Sequence, residues 1–131
     1  DPFFDYPQNT YCSYDTDPVA TNIATGGGTF SGPVGVVFLN TSTGLIDLDA
    51  STAGGPYAIK YVTAGTCPDS TTFNITINQA DDPFFDYPQA AYCDYNSDPV
   101  ATNIATGGGT FTGPAAVVFL NTSTGLIDLD A

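Results

Sequence analysis

Tyr57-Ala58-Ile59-Lys60-Tyr61-Val62 alternates large apolar residues with small, polar or charged ones. Successive side chains of a β-strand point to opposite faces, so this spacing predicts a strand with Tyr57, Ile59 and Tyr61 facing a core and Lys60 facing water. Phe73-Asn74-Ile75-Thr76-Ile77 repeats the alternation and predicts a second strand with its odd-numbered residues inward. Working outward, Val36 to Leu39 and Leu45 to Leu48 read as two strands around the turn Asn-Thr-Ser-Thr-Gly. Val19 to Ala24 and Thr29-Phe30 read as shorter strands separated by the glycines Gly26 to Gly28, and Phe3-Phe4-Asp5-Tyr6 as a first strand. About seven short strands with turn signals roughly every 8–12 residues predict an all-β fold of immunoglobulin-like β-sandwich type.

The same text occurs twice. Residues 1–50 and 82–131 agree at 42 of 50 positions, so the chain repeats with a period of 81 residues. The substitutions are mild, Ser31 against Thr112 and Val34 against Ala115 among them. Near-identity of this kind is expected of recent duplication within a tandem array. The reading assigns residues 1–81 to one complete repeat and 82–131 to the N-terminal part of a second, truncated repeat, a window cut from a longer polypeptide. Residues 82–131 have no counterpart of Tyr57–Val62 or of Phe73–Ile77 and are expected to form an incomplete sandwich. The joint Asn78-Gln79-Ala80-Asp81-Asp82-Pro83 contains proline and no glycine, which predicts a short and extended linker.

Charge narrows the partners. The chain carries 14 acidic residues, all Asp, against the single cation Lys60, a formal net charge of −13. Such a surface repels nucleic acid and anionic membranes. No apolar run approaches the roughly 20 residues of a membrane-spanning helix. Histidine and arginine are absent, so neither an imidazole base nor a bidentate guanidinium clamp is available, and the chain reads as non-enzymatic. Asp47 and Asp49, with their counterparts Asp128 and Asp130, have the residue type of a glycosidase pair, but a catalytic centre copied in every repeat would be unusual, and the residues read as a solvated strand face or strand-end turn.

The three cysteines are Cys12, Cys67 and Cys93. Cys93 is the counterpart of Cys12, and the counterpart of Cys67 would fall at about position 148, past Ala131. The arithmetic predicts one disulfide per repeat, Cys12 to Cys67, with Cys93 pairing outside this chain. Closing a loop of that length stabilises by roughly 4 kcal/mol on the chain-entropy account. The competing reading is a pair of buried thiols, while two sulfurs per repeat without CxxC or histidine argue against a metal site.

Calcium is the one cofactor the composition admits, since hard cations take oxygen ligands from Asp, Asn and carbonyl groups. The candidate ligands are Asp15 and Asp17, Asp47 and Asp49, and the linker pair Asp81 and Asp82. None of these follows an EF-hand spacing, and acidic turns also serve simply to keep a secreted chain soluble. The aromatic residues Phe3, Phe4, Tyr6, Tyr11 and Tyr14 are candidates for stacking on sugars, for core packing or for the joint between repeats.

Tyr11-Cys12, Asp17-Pro18, Gly27 to Ser31, Gly44 to Leu48, Gly55-Pro56-Tyr57, Tyr61, Cys67-Pro68 and Phe73 to Ile77, taken in this order, resemble an immunoglobulin-like or PKD-like repeat of very large Bacteroidota surface proteins. These are gliding-motility-type adhesins exported by type IX secretion. Departures are Gly55-Pro56, where Gly-Thr is commoner, and the inserted Gly32-Pro33-Val34-Gly35. The resemblance implies an extracellular, cell-surface address and a role in adhesion or filament formation, with neighbouring repeats, other copies and a surface or glycan ligand as partners. It carries over no catalytic residue. Asp69-Ser70-Thr71 resembles the O-glycosylation signal of the same bacteria, which makes Ser70 a candidate for modification. The alternative function is a carbohydrate-binding module of a secreted protein.

Overall fold

In the computed structural model, which describes residues 1–131, the chain is all-β and contains no helix. It divides into two compact units, Asp1–Ala80 and Asp81–Ala131.

The first unit holds six strands: β1 (Thr10–Cys12), β2 (Thr29–Ser31), β3 (Val37–Asn40), β4 (Leu45–Asp47), β5 (Gly54–Val62) and β6 (Ser70–Asn78). A four-stranded sheet runs in the order β1-β6-β5-β2, and β3 and β4 form a separate hairpin. The two nine-residue strands β5 and β6 are antiparallel and form the spine of the unit, with Tyr61 opposite Thr71 and Tyr57 opposite Ile75. The register shifts between Gly54 and Tyr57, where Pro56 has no N–H to give to the ladder. The alternation read from the sequence holds: Ile59, Tyr61, Ile75 and Ile77 are fully buried, whereas Lys60 is exposed. From the β3–β4 hairpin, Ile46 and its neighbour Leu48 join the same core, along with Phe4, Tyr6, Tyr11 and Phe30. Sheet and hairpin therefore share one apolar interior.

Two of the expected strands do not form. Phe3 to Tyr6 and Val19 to Ala24 meet at one antiparallel bridge, Asp5 with Thr21, and at a single further bond from Ala24 N to Phe3 O at 2.9 Å, short of a ladder. Pro2 and Pro7 bracket the first segment and Pro18 precedes the second, so the pairing cannot extend past these ends. The Asp5 side chain takes over part of the pairing, accepting from Thr21 Oγ1 at 2.6 Å and from Asn22 Nδ2 at 3.0 and 3.1 Å. Asn22 sits at φ 51°, a left-handed conformation that ends any extended run and that asparagine tolerates better than most residues. Conversely, β1 was not expected. It lies parallel to β6 with Thr10 opposite Thr76, a pairing between segments so distant in sequence that no local pattern announces it.

The second unit contains β7 (Val118–Asn121) and β8 (Leu126–Asp128), a hairpin with the same pairing and the same register shift as β3 and β4. The bridge recurs between Asp86 and Thr102. Residues 91–93 and 110–112, the counterparts of β1 and β2, are not strands here. The β5–β6 spine that β1 and β2 pair with has no counterpart within residues 82–131.

The predicted Cys12–Cys67 bridge is not formed, and Cys12, Cys67 and Cys93 are all free thiols. Strand geometry gives the reason. Cys12 stands opposite Asn78, at the last residue of β6, whereas Cys67 lies in the loop just before Ser70, at its first. At about 3.3 Å per residue the length of β6 separates them by more than about 25 Å. A disulfide needs Cα atoms roughly 4.4–6.8 Å apart.

Candidate functional site

The sequence-predicted acidic ligands fall into turns, where most cap backbone N–H groups. Asp15 accepts from Cys12 N at 2.8 Å, Asp17 from Leu48 N at 2.9 Å and Asp47 from Ala50 N at 3.1 Å. Asp82 accepts from Phe84 N at 3.0 Å, as Asp1 does from Phe3 N. Asp49 and Asp81 are exposed. No group of three or more Asp, Cys, Glu or His side chains is arranged to hold a metal ion. Asp17 and its counterpart Asp98 do tie two distant segments together, since Asp98 accepts from Leu129 N at 3.0 Å just as Asp17 does from Leu48 N. In the second unit the Asp128 carboxyl is held above the usual carboxylate range by its hydrogen bond to Asp130, with burial and the charges of Asp130 and Asp98 adding to the effect.

Ser70 is exposed at the start of β6, its N–H donating to the Asp69 carboxylate at 2.8 Å. Tyr14 and its counterpart Tyr95 are exposed by 72% and 84%, more than any other aromatic residue.

One concave surface was not among the sequence-predicted sites. It is a groove of about 380 Å³ in the second unit, lined by Pro83, Phe85, Ile104, Thr106, Gly109 and Phe111 among others. The first unit shows what the same residues do when covered. There Phe4, the counterpart of Phe85, packs edge-on to Phe30 at 5.1 Å and to Tyr61 at 5.9 Å. The Tyr61 ring lies 4.5 Å from Phe30, centroid to centroid. Its hydroxyl donates to Thr25 O at 2.7 Å and accepts from Gly28 N at 2.9 Å. Phe73 of β6 closes the cluster beside Tyr6 at 5.9 Å.

The second unit keeps half of this cluster in place. Phe85 meets Phe111 at 5.0 Å and Tyr87 at 6.0 Å, edge-on in both cases. Tyr87 still donates to Gly125 O at 2.6 Å, as Tyr6 does to Gly44 O at 2.6 Å. Burial raises both tyrosine hydroxyls above the ordinary phenol range, Tyr6 much further than Tyr87, with Tyr11 adding a smaller push on Tyr6 and Tyr92 on Tyr87. What differs is cover: Phe4 is 2% exposed and Phe85 45%. On a ring of about 200 Å² that difference corresponds to about 2 kcal/mol of lost burial. The signal for this site was the 81-residue repeat itself, which places Phe85 and Phe111 on the pattern of Phe4 and Phe30 without a second tyrosine hairpin.

No family model matches the chain, and neither a curated protein nor a solved structure matches it.

Proposed function

We propose that the chain is a non-catalytic stretch of tandem immunoglobulin-like repeats from an extracellular adhesive or structural filament. The observation that carries this reading is the 81-residue repeat at 42 of 50 positions. Repetition at this level supplies reach and a recurring surface, the use to which stalk proteins put their domains. It also extends to detailed geometry: the Asp5–Thr21–Asn22 clasp reappears as Asp86–Thr102–Asn103 with distances within 0.1 Å for the carboxylate bonds.

The threading of the first unit supports the same reading. The chain enters beside Thr25, whose hydroxyl receives the amino group of Asp1 at 3.4 Å and whose carbonyl receives the Tyr61 hydroxyl. It leaves after Asn78, at the other end of β6 from Thr71, which pairs with Tyr61. Entry and exit at opposite ends suit a domain strung in a line. The cysteines follow suit, Cys67 near the entry end and Cys12 at the exit end, so a bridge from either reaches a thiol outside its own unit.

A carbohydrate-binding module is the second reading, favoured by the exposed rings of Tyr14 and Tyr95, which suit stacking on a sugar face. Immunogold labelling of intact producing cells with antibodies to this chain tests the main reading. Label on the outer surface or on fibres is expected; label that appears only after permeabilisation overturns it. Retention on a glycan array, abolished by Tyr14→Ala with Tyr95→Ala, would favour the module.

A further inference from the structure

We infer that the outer face of the four-stranded sheet in the first unit is a docking surface for a strand of uncharged polysaccharide. The face is made by the residues that alternate with the core. Phe30, Tyr61, Ile75 and Ile77 are buried on the inner side, so Thr10, Thr29, Ser31, Thr72, Asn74 and Thr76 stand on the outer side. All but the half-buried Thr76 are exposed. The register sets them side by side, with Thr10 opposite Thr76 across β1 and β6, and Ser31, Lys60 and Thr72 in one row across β2, β5 and β6.

Charge sets this face apart from the rest of the chain. Of the 14 aspartates none belongs to β1, β2, β5 or β6, while the single cation, Lys60, lies on the outer side. The aspartates sit instead in turns and bridges, where most of them accept backbone or side-chain hydrogen bonds. On the face the reverse holds. The side chains of Thr29, Ser31, Lys60, Thr72, Asn74 and Thr76 make no hydrogen bond or ion pair within the chain, and only Thr10 has a weak one, to Asn9 at 3.4 Å. Hydroxyl and amide groups that both donate and accept are thus held in rows on a paired sheet, free to bond a ligand.

Three conditions select the occupant. A polyanion needs more cations than Lys60 alone and is repelled by the surrounding carboxylates. A protein partner needs more area. Nine residues by four strands make a face of about 26 by 14 Å, or about 400 Å², against about 800 Å² per partner in a standard stable complex. A sugar chain needs neither charge nor so wide a contact, and its hydroxyls are donors and acceptors like those of the face. Tyr14 and Tyr95 lie outside these strands, so the surface is distinct from the exposed rings of the second reading above.

Affinity electrophoresis of the full chain tests the proposal, with hydroxyethyl cellulose, galactomannan, dextran or polygalacturonate cast in the gel. Retardation is expected in at least one of the three uncharged polysaccharides and not in polygalacturonate. Thr72→Val with Asn74→Asp keeps the shape of both exposed side chains and should weaken that binding at least fivefold, with thermal melting within error of wild type. Amide NMR of the wild-type chain with the same polysaccharide should show shifts concentrated on residues 29–31 and 70–78. No retardation in any uncharged gel overturns the inference, as does retardation in polygalacturonate alone. Binding that survives the double substitution but is lost in Tyr14→Ala with Tyr95→Ala also overturns it, and leaves the carbohydrate-binding reading on those rings standing.

Discussion

Residues 1–50 and 82–131 are nearly the same text folded in two different company. What the two share is local: the β3–β4 and β7–β8 hairpins with one register, the Asp–Thr–Asn clasps, and the tyrosine-to-glycine hydrogen bonds. What they do not share is burial. Phe30, Ile46 and Leu48 are at most 1% exposed, whereas Phe111, Ile127 and Leu129 are only partly buried. Hydrogen bonds within the 50-residue segment fix its path, but the apolar cover comes from β5 and β6, which lie outside that segment in sequence. Core formation in this repeat is a non-local event added to a locally specified frame.

Mutations that act through β5 and β6 should therefore separate the two units. Tyr61→Ala has the largest expected effect. It removes a buried ring and leaves Gly28 N and Thr25 O without their partner, for a loss of about 3–5 kcal/mol in the first unit. Chemical denaturation followed at the first unit's amide signals measures it, while the signals of residues 82–131 should stay in place. Gly28→Ala comes next, at about 1–3 kcal/mol from the overlap with Val62 O and the Tyr61 ring; the matching Gly109→Ala should leave the thermal melting of the second unit within error of wild type.

Tyr6→Phe and Tyr87→Phe form a milder pair. Both delete the 2.6 Å bond to a glycine carbonyl, but only Tyr6 is fully buried. The expected losses are about 1–2 kcal/mol in the first unit and under about 1 kcal/mol in the second, by denaturant titration.

The smallest separation is electrostatic. Thr21 and Asn22 donate to Asp5 and hold its carboxyl below the usual value of 3.8. Its contribution is present above that value and is lost as pH falls through the lower folded value. Asp128 has the opposite sign: its pKa is raised, so the repulsion in the ionised form is present above the folded value and is relieved as pH falls through it. Carboxyl-carbon NMR should show Asp128 titrating at higher pH than Asp5, and Asp130→Asn should bring the Asp128 midpoint down.

The spine of the fold was legible because β5 and β6 alternate cleanly over a full strand each, and Ile59, Tyr61, Ile75 and Ile77 faced inward as the period of two required. The β3–β4 hairpin was legible from its turn, where Asn40 accepts from Ser42 N and Gly44 adopts φ 75°. The β1–β6 pairing was not, because a three-residue parallel strand has too little pattern to reveal a partner far along the chain. Phe3 to Tyr6 misled because apolar content between prolines looks like a strand, while Pro2 and Pro7 leave too short a run between them for a ladder to form. The disulfide was misplaced for a similar reason: counting cysteines gives parity, and parity contains no distance. The groove was half legible, since the repeat length exposes which strands the second copy lacks but not that Phe85, Gly109 and Phe111 hold their places around the vacant space.

Hydrogen–deuterium exchange on the full chain decides whether β5 and β6 supply the cover that the first unit has. The segments 27–48 and 108–129 differ only at Ser31/Thr112, Val34/Ala115 and Gly35/Ala116, so their intrinsic exchange rates are nearly equal; the three differences cancel in total mass, and the copies are told apart by the peptides 27–33 against 108–114 and 34–48 against 115–129, each pair one methylene apart. Any difference in protection then reports the cover supplied by β5 and β6. The expected result is that 27–48 exchanges at least a hundredfold more slowly than 108–129. Equal protection of the two segments would contradict it.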